Sequence, residues 1–162
     1  MERLWSPWRA RYIASGVDAQ ADGCVFCRMA GDPEHDADNF VLHRATHAFV
    51  VLNLYPYITG HLLVVPYLHT SELDSVGKEI SDEMMDLAKR SLSALREVYA
   101  PSGFNVGMNL GAAAGAGIAD HVHIHVLPRW SGDTNFMTTV GESRVIPEDL
   151  KTTYTRLLPS FI

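Results

Sequence analysis

The chain has few cysteines and no long apolar run, and each shortage excludes a class of protein. It holds 2 cysteines in 162 residues, too few for the disulfide framework of a small secreted domain. Its most apolar stretch, residues 62–65, ends at Pro66 and is far shorter than a membrane span. The first residues contain no apolar signal-peptide core. We therefore expect a cytoplasmic protein that has no membrane partner.

Basic residues are also in the minority. The chain has 13 Lys and Arg against 19 Asp and Glu, for a net charge of -6 with histidine neutral. This balance argues against binding to a nucleic-acid backbone. It is compatible with a small anionic ligand, because 8 histidines can supply local positive charge. We expect an N-terminal arm over residues 1–23 and a single domain over residues 24–162, a size that suits one hydrophobic core.

Hydrophobic periodicity predicts an α+β domain with an antiparallel sheet of about five strands. The predicted strands are residues 39–43, 47–53, 61–65, 103–110 and 121–127. Residues 80–99 carry an apolar stripe at three- and four-residue steps, which predicts one long helix with Ser81 as its N-cap. A shorter helix is expected near the C-terminus, over residues 148–158.

Three histidines alternate with apolar residues in His121-Val122-His123-Ile124-His125. Successive side chains of a strand point to opposite faces, so the three imidazoles should share one face while the apolar residues face the core. The imidazoles are then expected to line an open surface or a site. Since His121 and His125 would lie about 13 Å apart, they cannot both contact one phosphorus atom. His123 can share a phosphate with either neighbour, which favours it as the reacting group.

This pattern suits nucleophilic chemistry at phosphorus. A neutral imidazole is a competent nucleophile near pH 7, because its ordinary pKa is about 6.5. Its second nitrogen must donate to an acceptor, for which a carbonyl of the Gly/Ala loop at residues 111–117 is a candidate. The same loop offers bare backbone amides to phosphate oxygens.

The chain resembles the histidine triad (HIT) family in three segments. They are the histidine run at residues 121–130, the segment from Asn53 to Pro66, and the alternating residues 104–109. The similarity covers roughly residues 24–130 and implies a HIT-like fold. Residues 4–9 and 128–136 are similar to the bacterial branch related to diadenosine tetraphosphate phosphorylases.

The resemblance implies nucleotidyl transfer or hydrolysis at the α-phosphate of dinucleoside polyphosphates, through a nucleotidyl-histidine intermediate. It implies that His123 is the nucleophile, that His125 contacts the α-phosphate, and that His61 orients or supports the nucleophile. The nucleotide-binding residues it implies are Asn53, Asn109, Gly115, Ala116, Gly117, His125 and Trp130. An adenine nucleotide or dinucleoside polyphosphate is then the expected ligand, a homodimer with joined sheets the expected assembly, and no organic cofactor is expected.

Two departures from the family leave the reaction open. Related hydrolases often carry Gln, Ser or Thr in the loop before the histidines, where this chain has Gly115, Ala116 and Gly117. Some phosphorylases carry Gln at the position of His125. The acceptor is therefore either phosphate or water, and the alternatives include a hydrolase of dinucleoside polyphosphates or of nucleoside phosphoramidates. A non-catalytic, zinc-stabilised nucleotide-binding or interaction module is the alternative from another class.

The two cysteines, Cys24 and Cys27, have the spacing of half a zinc site. Spacing alone is also compatible with a redox pair. The resemblance adds His69 and His121, because several bacterial members of the family carry Cys-x-x-Cys with zinc-binding histidines at these positions. We therefore expect a structural Zn²⁺ ion at these four residues. The competing candidate ligands are His35, His43 and His47.

Overall fold

The computed structural model describes residues 23–135 and 147–162. The predicted arm, apart from Gly23, lies outside the described residues, as does Phe136 at the end of the family-like segment. The helices are α1 (Val25–Gly31), α2 (Lys78–Tyr99) and α3 (Leu150–Leu157). The strands are β1 (Val41–Arg44), β2 (Ala48–Leu52), β3 (Leu62–Pro66), β4 (Gly103–Gly107) and β5 (Ile124–Arg129). No helix of the described ranges is both long and apolar enough to cross a bilayer.

The strands form one five-stranded antiparallel sheet in the order β1-β2-β3-β5-β4. This confirms the predicted α+β fold. The last strand of the described ranges, β5, lies between β3 and β4, so it occupies the interior of the sheet. Its pairing with β3 places His125 directly opposite Leu63. The histidine run therefore enters the sheet next to the connection that follows β2 and carries Asn53 and His61.

Both faces of the central strands are covered. Every residue of β2 and β3 is buried, as predicted for the continuous apolar run in β2. Alternation sends Val50 and Val64 into the larger core, which α2 and α3 complete on one face. It sends Phe49 and Leu63 into a smaller core beneath α1 on the other face. The sheet is thus a middle layer, and its smaller core adjoins the histidines.

The long helix begins earlier than its apolar stripe. Gly77 is the N-cap of α2, whereas Ser81 lies in the first turn and donates its hydroxyl to the carbonyl of Lys78. The prediction of Ser81 as the N-cap was wrong because Lys78 and Glu79 are polar and carry no periodic signal. Ala100 ends the helix in the left-handed conformation at φ 44°, and Pro101 follows.

The strand that carries the histidines begins later than predicted. Strand β5 starts at Ile124, so His121 and His123 precede it. Upstream of the strand, the backbone N–H of Val122 donates to the carbonyl of Thr70, at 2.8 Å. The backbone of this segment therefore bonds to the chain after β3, while the His121 side chain bonds to Pro66, the last residue of β3.

Gly60 sets the approach of the β2–β3 connection to α2, and its replacement tests the packing there. Its φ is +77°, and a Cβ would lie 2.9 Å from Cδ2 of the fully buried Leu95 and 3.3 Å from Cγ of Pro128. We expect Gly60→Ala to lower the free energy of unfolding by about 1–3 kcal/mol, through backbone strain and overpacking. Urea denaturation measures this. Gly103→Ala is the control, because its Cβ meets nothing within 4 Å, and equal stabilities of the two variants would contradict the expectation.

Candidate active site and metal-ligand cluster

Helix α1 covers the face of the sheet on which the histidines lie. Phe26 and Met29, three residues apart, are 3% and 6% exposed and pack into the smaller core. The C-terminal end of the helix is held by the Arg44 guanidinium, which donates to the carbonyls of Met29 and Ala30 and pairs with Asp36. Sequence reasoning missed this helix, since seven residues are too few for a clear periodic pattern.

Because α1 covers this face, the three histidines do not lie on an open surface. His121, His123 and His125 are 0%, 5% and 9% exposed. The alternative expectation, that they line a site, fits the last two. Both border a cavity of about 320 Å³, together with Asn53, Tyr57 and Gly117. The apolar wall of the cavity is formed by Val25, Phe26, Met29, Val51, Leu63 and Ile118.

The hydrogen bonds of His123 determine its tautomer. Its Nδ1 lies 2.8 Å from the carbonyl oxygen of His121, which can only accept, so Nδ1 carries the proton. The prediction that a carbonyl of the Gly/Ala loop accepts this proton was therefore wrong, because a nearer carbonyl, two residues upstream, does so. Burial lowers the pKa of His123. In the neutral ring that results, Nε2 is unprotonated and carries the nucleophilic lone pair.

A chain of hydrogen bonds also assigns the proton of His125. The backbone N–H of Tyr57 donates to Nδ1 of His61, at 3.2 Å. The proton of the neutral His61 ring is then on Nε2, which lies 2.9 Å from Nδ1 of His125 and donates to it. In its neutral form His125 then carries its own proton on Nε2, as a donor suited to a phosphate oxygen. Of the histidines in the run, His61 hydrogen-bonds to His125, and no described hydrogen bond joins it to His123.

Electrostatics keeps His61 neutral. Burial is the main cause that holds its pKa well below 6.5, and repulsion from charge on His125 and His123 acts in the same direction. Asn53 lies beside this ring, with its Nδ2 3.2 Å from Nδ1 of His61 and its Oδ1 accepting from the backbone N–H of Tyr55. Asn53 is thus held at the rim of the cavity by the same connection that carries His61.

The structure brings together only some of the predicted nucleotide-binding residues. Gly117 borders the cavity beside His123, but Asn109, Gly115 and Ala116 are not among the described residues that line it. Trp130 lines a second cavity, of about 380 Å³, that shares only Tyr57 with the first. Sequence reasoning assigned no role to Tyr57, whose ring stacks on that of His125 with centroids 6.0 Å apart.

The four predicted metal ligands do converge. Ligand atoms of Cys24, Cys27, His69 and His121 all lie within 4.8 Å of one another. Nδ1 of His121 is 3.3 Å from Cys24 Sγ and 3.8 Å from Cys27 Sγ. Nδ1 of His69 is 3.3 Å from Cys27 Sγ and 3.3 Å from Nδ1 of His121. Chain segments from α1, the end of β3 and the start of the histidine run therefore meet at one cluster.

The four of these separations that lie between 3.3 and 3.8 Å match those between neighbouring ligands of a tetrahedral metal site. Zinc bonds of about 2.3 Å to sulfur and 2.0–2.1 Å to nitrogen place neighbouring ligand atoms about 3.3–3.8 Å apart. Nε2 of His121 donates to the carbonyl of Pro66 at 2.8 Å, which leaves Nδ1 unprotonated and directed at the cluster. Of the competing histidines, His35 bonds to Asp32 and His43 to the carbonyl of Phe161. The structure thus contains a Cys₂His₂ cluster that could bind a metal.

Comparison with known proteins agrees with this geometry. The HIT domain family model matches residues 34–132. The AP-4-A phosphorylase of Mycobacterium tuberculosis is 41% identical over 157 residues, which cover 94% of this chain and 80% of the relative. The adenosine 5'-monophosphoramidase of Saccharomyces cerevisiae is 29% identical, over 65% of this chain and 62% of the relative. A Zn-bound histidine triad family protein from Mycobacterium smegmatis superposes with a TM-score of 0.69 at 28% identity, covering 85% of this chain and 92% of that one.

The described residues form an α+β domain with an antiparallel sheet, buried histidines at a cavity and a Cys₂His₂ cluster beside them. These features are those of the histidine triad class. The chain belongs to the HIT domain family. The fold and the family expected from the sequence are both confirmed.

The depressed pKa of His61 predicts a pH-dependent stability. The folded protein holds this ring neutral, whereas the unfolded chain protonates it below about pH 6.5. The unfolded state therefore binds more protons as the pH falls, so the contribution of His61 lowers stability with a slope of at most about 1.4 kcal/mol per pH unit. We expect His61→Gln to flatten the fall in unfolding free energy below pH 6.5. Urea denaturation across pH 4.5–7.5 measures this.

His35→Gln is the control, because the exposed His35 pairs with Asp32 and its pKa is raised. This variant should keep the low-pH loss of stability. Parallel stability curves for His61→Gln and the natural protein would contradict the assignment of a buried neutral ring.

Proposed function

We propose that this HIT-family enzyme transfers a nucleotidyl group from dinucleoside polyphosphates, with His123 as the nucleophile and orthophosphate as the acceptor. The coarser statement, an enzyme that acts on nucleotide phosphates, follows from its family and its 41% identity to an AP-4-A phosphorylase. One observation carries the finer proposal. The cavity-lining His123 ring has its Nδ1–H bound to the His121 carbonyl, which leaves the lone pair on Nε2 available for attack.

The reaction would proceed by two displacements at the same phosphorus atom. Nε2 of His123 bonds to the α-phosphorus, and the bond from this phosphorus to the bridging oxygen breaks, so that the rest of the substrate leaves as a nucleoside polyphosphate anion. The Nε2–H of His125 donates to a non-bridging α-phosphate oxygen and stabilises the charge that develops there. An acceptor oxygen then displaces His123, which frees the enzyme. Because both transition states have the same shape, one set of donors serves both steps.

The cavity supports a nucleoside on the His123 side. Its volume of about 320 Å³ and its apolar walls suit a purine base, since pockets for such ligands are mostly apolar with few polar groups. Asn53 supplies a polar group at the rim for the ribose. Gly117, with no side chain, allows phosphate oxygens to approach the backbone before β5.

The loop before β5 favours a polyphosphate leaving group over an amine. Residues 111–117 are all Gly or Ala, so they supply no side-chain acid. An amine released from a phosphoramidate must be protonated, whereas a terminal phosphate with a pKa of about 6 leaves readily as an anion. Dinucleoside polyphosphates are therefore the proposed substrates. The phosphoramidase activity named for the yeast relative is the less favoured alternative.

Incubation with diadenosine tetraphosphate tests both the nucleophile and the acceptor. With orthophosphate present, we expect ADP and ATP; without it, little turnover. His123→Ala should lower the rate by roughly 10⁴-fold or more, because it removes the nucleophile. Chromatography of the products and mass spectrometry of the acid-quenched protein, for a nucleotidyl adduct, provide the measurements.

His35→Ala is the matched control, an exposed histidine bonded to Asp32 that should leave the rate unchanged. AMP as the product irrespective of phosphate would identify a hydrolase in place of a phosphorylase. Full activity of His123→Ala would contradict an enzymatic role for this residue and favour a binding module.

We also propose that the Cys₂His₂ cluster binds Zn²⁺. The separations, and the hydrogen bond from His121 Nε2 to the Pro66 carbonyl, fit a site with four protein ligands. Zinc in such a site would cross-link the chain and have no open position for substrate. Such an ion would connect α1 to the segment before β5 and so hold α1, which lies over the cavity, against the sheet.

Removal of one thiol tests this site. We expect the purified protein to contain roughly one zinc per chain, and Cys27→Ala to lose it and unfold at a lower temperature, because structural zinc stabilises the folded state. Elemental analysis and thermal denaturation measure the two effects. His43→Ala, at a histidine bonded to the Phe161 carbonyl, should retain the metal. Loss of zinc from the His43 variant, or its retention in Cys27→Ala, would contradict the assignment.

A homodimer remains part of the proposal. Strand β4 is at one end of the sheet, with Val106 46% exposed and nearby Leu110 45% exposed. An edge strand with exposed apolar side chains is suited to pairing with a second copy, which would join the two sheets as the family resemblance implies.

A further inference from the structure

One side chain, Phe26, contacts both the metal-ligand cluster and the proposed nucleophile. Its ring centroid is 5.0 Å from that of His123, with the planes tilted by 60°. It is also 5.4 Å from the ring of His121, in an edge-on arrangement of 82°. Phe26 is only 3% exposed and packs with Met29 and Phe49 in the smaller core, so its own position is well determined.

The nucleophile needs such a contact. The bond from Nδ1 of His123 to the His121 carbonyl fixes one atom of the ring and its tautomer. Nε2 lies on the far side of the ring, so rotation of the ring about the Cβ–Cγ bond would still displace it. Packing against Phe26 and against His125, whose centroid is 4.8 Å away, limits this rotation. A small misplacement of a nucleophile lowers a displacement rate strongly, because the attacking orbital must align with the bond that breaks.

Phe26 is also connected to the cluster through the chain. It lies between Cys24 and Cys27, whose thiols converge with His69 and His121. Any contact that holds these thiols in place also holds the first turn of α1, and therefore the Phe26 ring, against His123. The cluster and the nucleophile are thus connected by two short routes, one through the His121 carbonyl and one through Phe26.

We infer that Phe26 is a positioning residue that orients the His123 ring and couples the Cys₂His₂ cluster to it. The inference rests on the proposed role of His123 as the nucleophile. It goes beyond a share in the apolar wall of the cavity, which Phe26 has in common with Val25 and Met29. A residue that only lined the cavity would affect nucleotide binding, whereas a positioning residue affects the rate of bond formation.

Steady-state kinetics with diadenosine tetraphosphate and phosphate separates these two roles. Phe26→Leu should lower kcat by roughly 10- to 100-fold with little change in KM, because the ring of His123 loses its support. Met29→Ala, at a residue that lines the same cavity without a described ring contact to His123, should raise KM and leave kcat nearly unchanged. Phe26→Tyr, which retains the six-membered ring, should restore most of kcat, and a cooperative thermal unfolding transition of Phe26→Leu would show that this variant is folded.

A spectroscopic readout tests the inference without turnover. Nitrogen-15 NMR of histidine-labelled protein at constant pH should show one tautomer for His123 in the natural protein, with the proton on Nδ1. Phe26→Leu should give averaged or broadened His123 signals. Phe49→Leu is the control, because Phe49 is fully buried in the same core and stacks on Tyr67; it should lower the melting temperature and leave the His123 signals in place.

The outcomes separate the inference from the proposed function. Unchanged His123 signals in Phe26→Leu, or a rise in KM with kcat retained, would overturn the positioning role even if the enzyme is a phosphorylase. If the natural protein forms no nucleotidyl adduct, the proposed function fails, and altered His123 signals in Phe26→Leu alone still support the packing role. Equal effects of Phe26→Leu and Phe49→Leu on those signals would contradict a specific positioning role and show that Phe26 acts only as a residue of the core.

Discussion

The site depends on the hydrogen bonds and contacts of one residue, His121. Its Nε2–H binds the Pro66 carbonyl, so its Nδ1 faces the two thiols and His69. Its own carbonyl accepts the proton of His123 Nδ1. One fully buried residue therefore directs the metal-ligand cluster with its ring and selects the tautomer of the proposed nucleophile with its backbone.

Tautomers, more than charges, organise the rest of the site. Burial lowers the pKa of His61, His121 and His123, so the histidines act as neutral rings with one donor and one acceptor each. The backbone N–H of Tyr57 donates to His61, and His61 in turn donates to Nδ1 of His125, which leaves the donor nitrogen of His125 at Nε2. Backbone groups thereby decide which nitrogen of each ring keeps its lone pair and which nitrogen carries the proton. Such an arrangement needs little reorganisation during a displacement at phosphorus.

Most of the architecture was predictable because it depends on local periodicity. The five strands, the long helix and the C-terminal helix were all anticipated, with shifts of a few residues at their ends. The spacing of Cys24 and Cys27 marked a half-site, and the family resemblance supplied His69 and His121. Helix α1 was missed, since its short length hides its period, and with it the burial of the histidines and the contact of Phe26 with His123. Of the two expected surroundings, an open surface or a site, only the site fits, and for His123 and His125 alone, because strand alternation tells which residues share a face but not what covers it.

The sequence by itself determined which chemistry is available: alternating imidazoles, a loop of small residues and a pair of thiols, each readable from side-chain type and spacing. Only the tertiary structure decided how that chemistry is used. Hydrogen-bond acceptors such as the carbonyls of His121 and Pro66 are present in every peptide unit and have no sequence signature. Their selection depends on how distant segments pack, and packing joins residues as far apart as Cys24 and His121. Tautomer, burial and ring orientation therefore follow from the fold and cannot be read from the residues that display them.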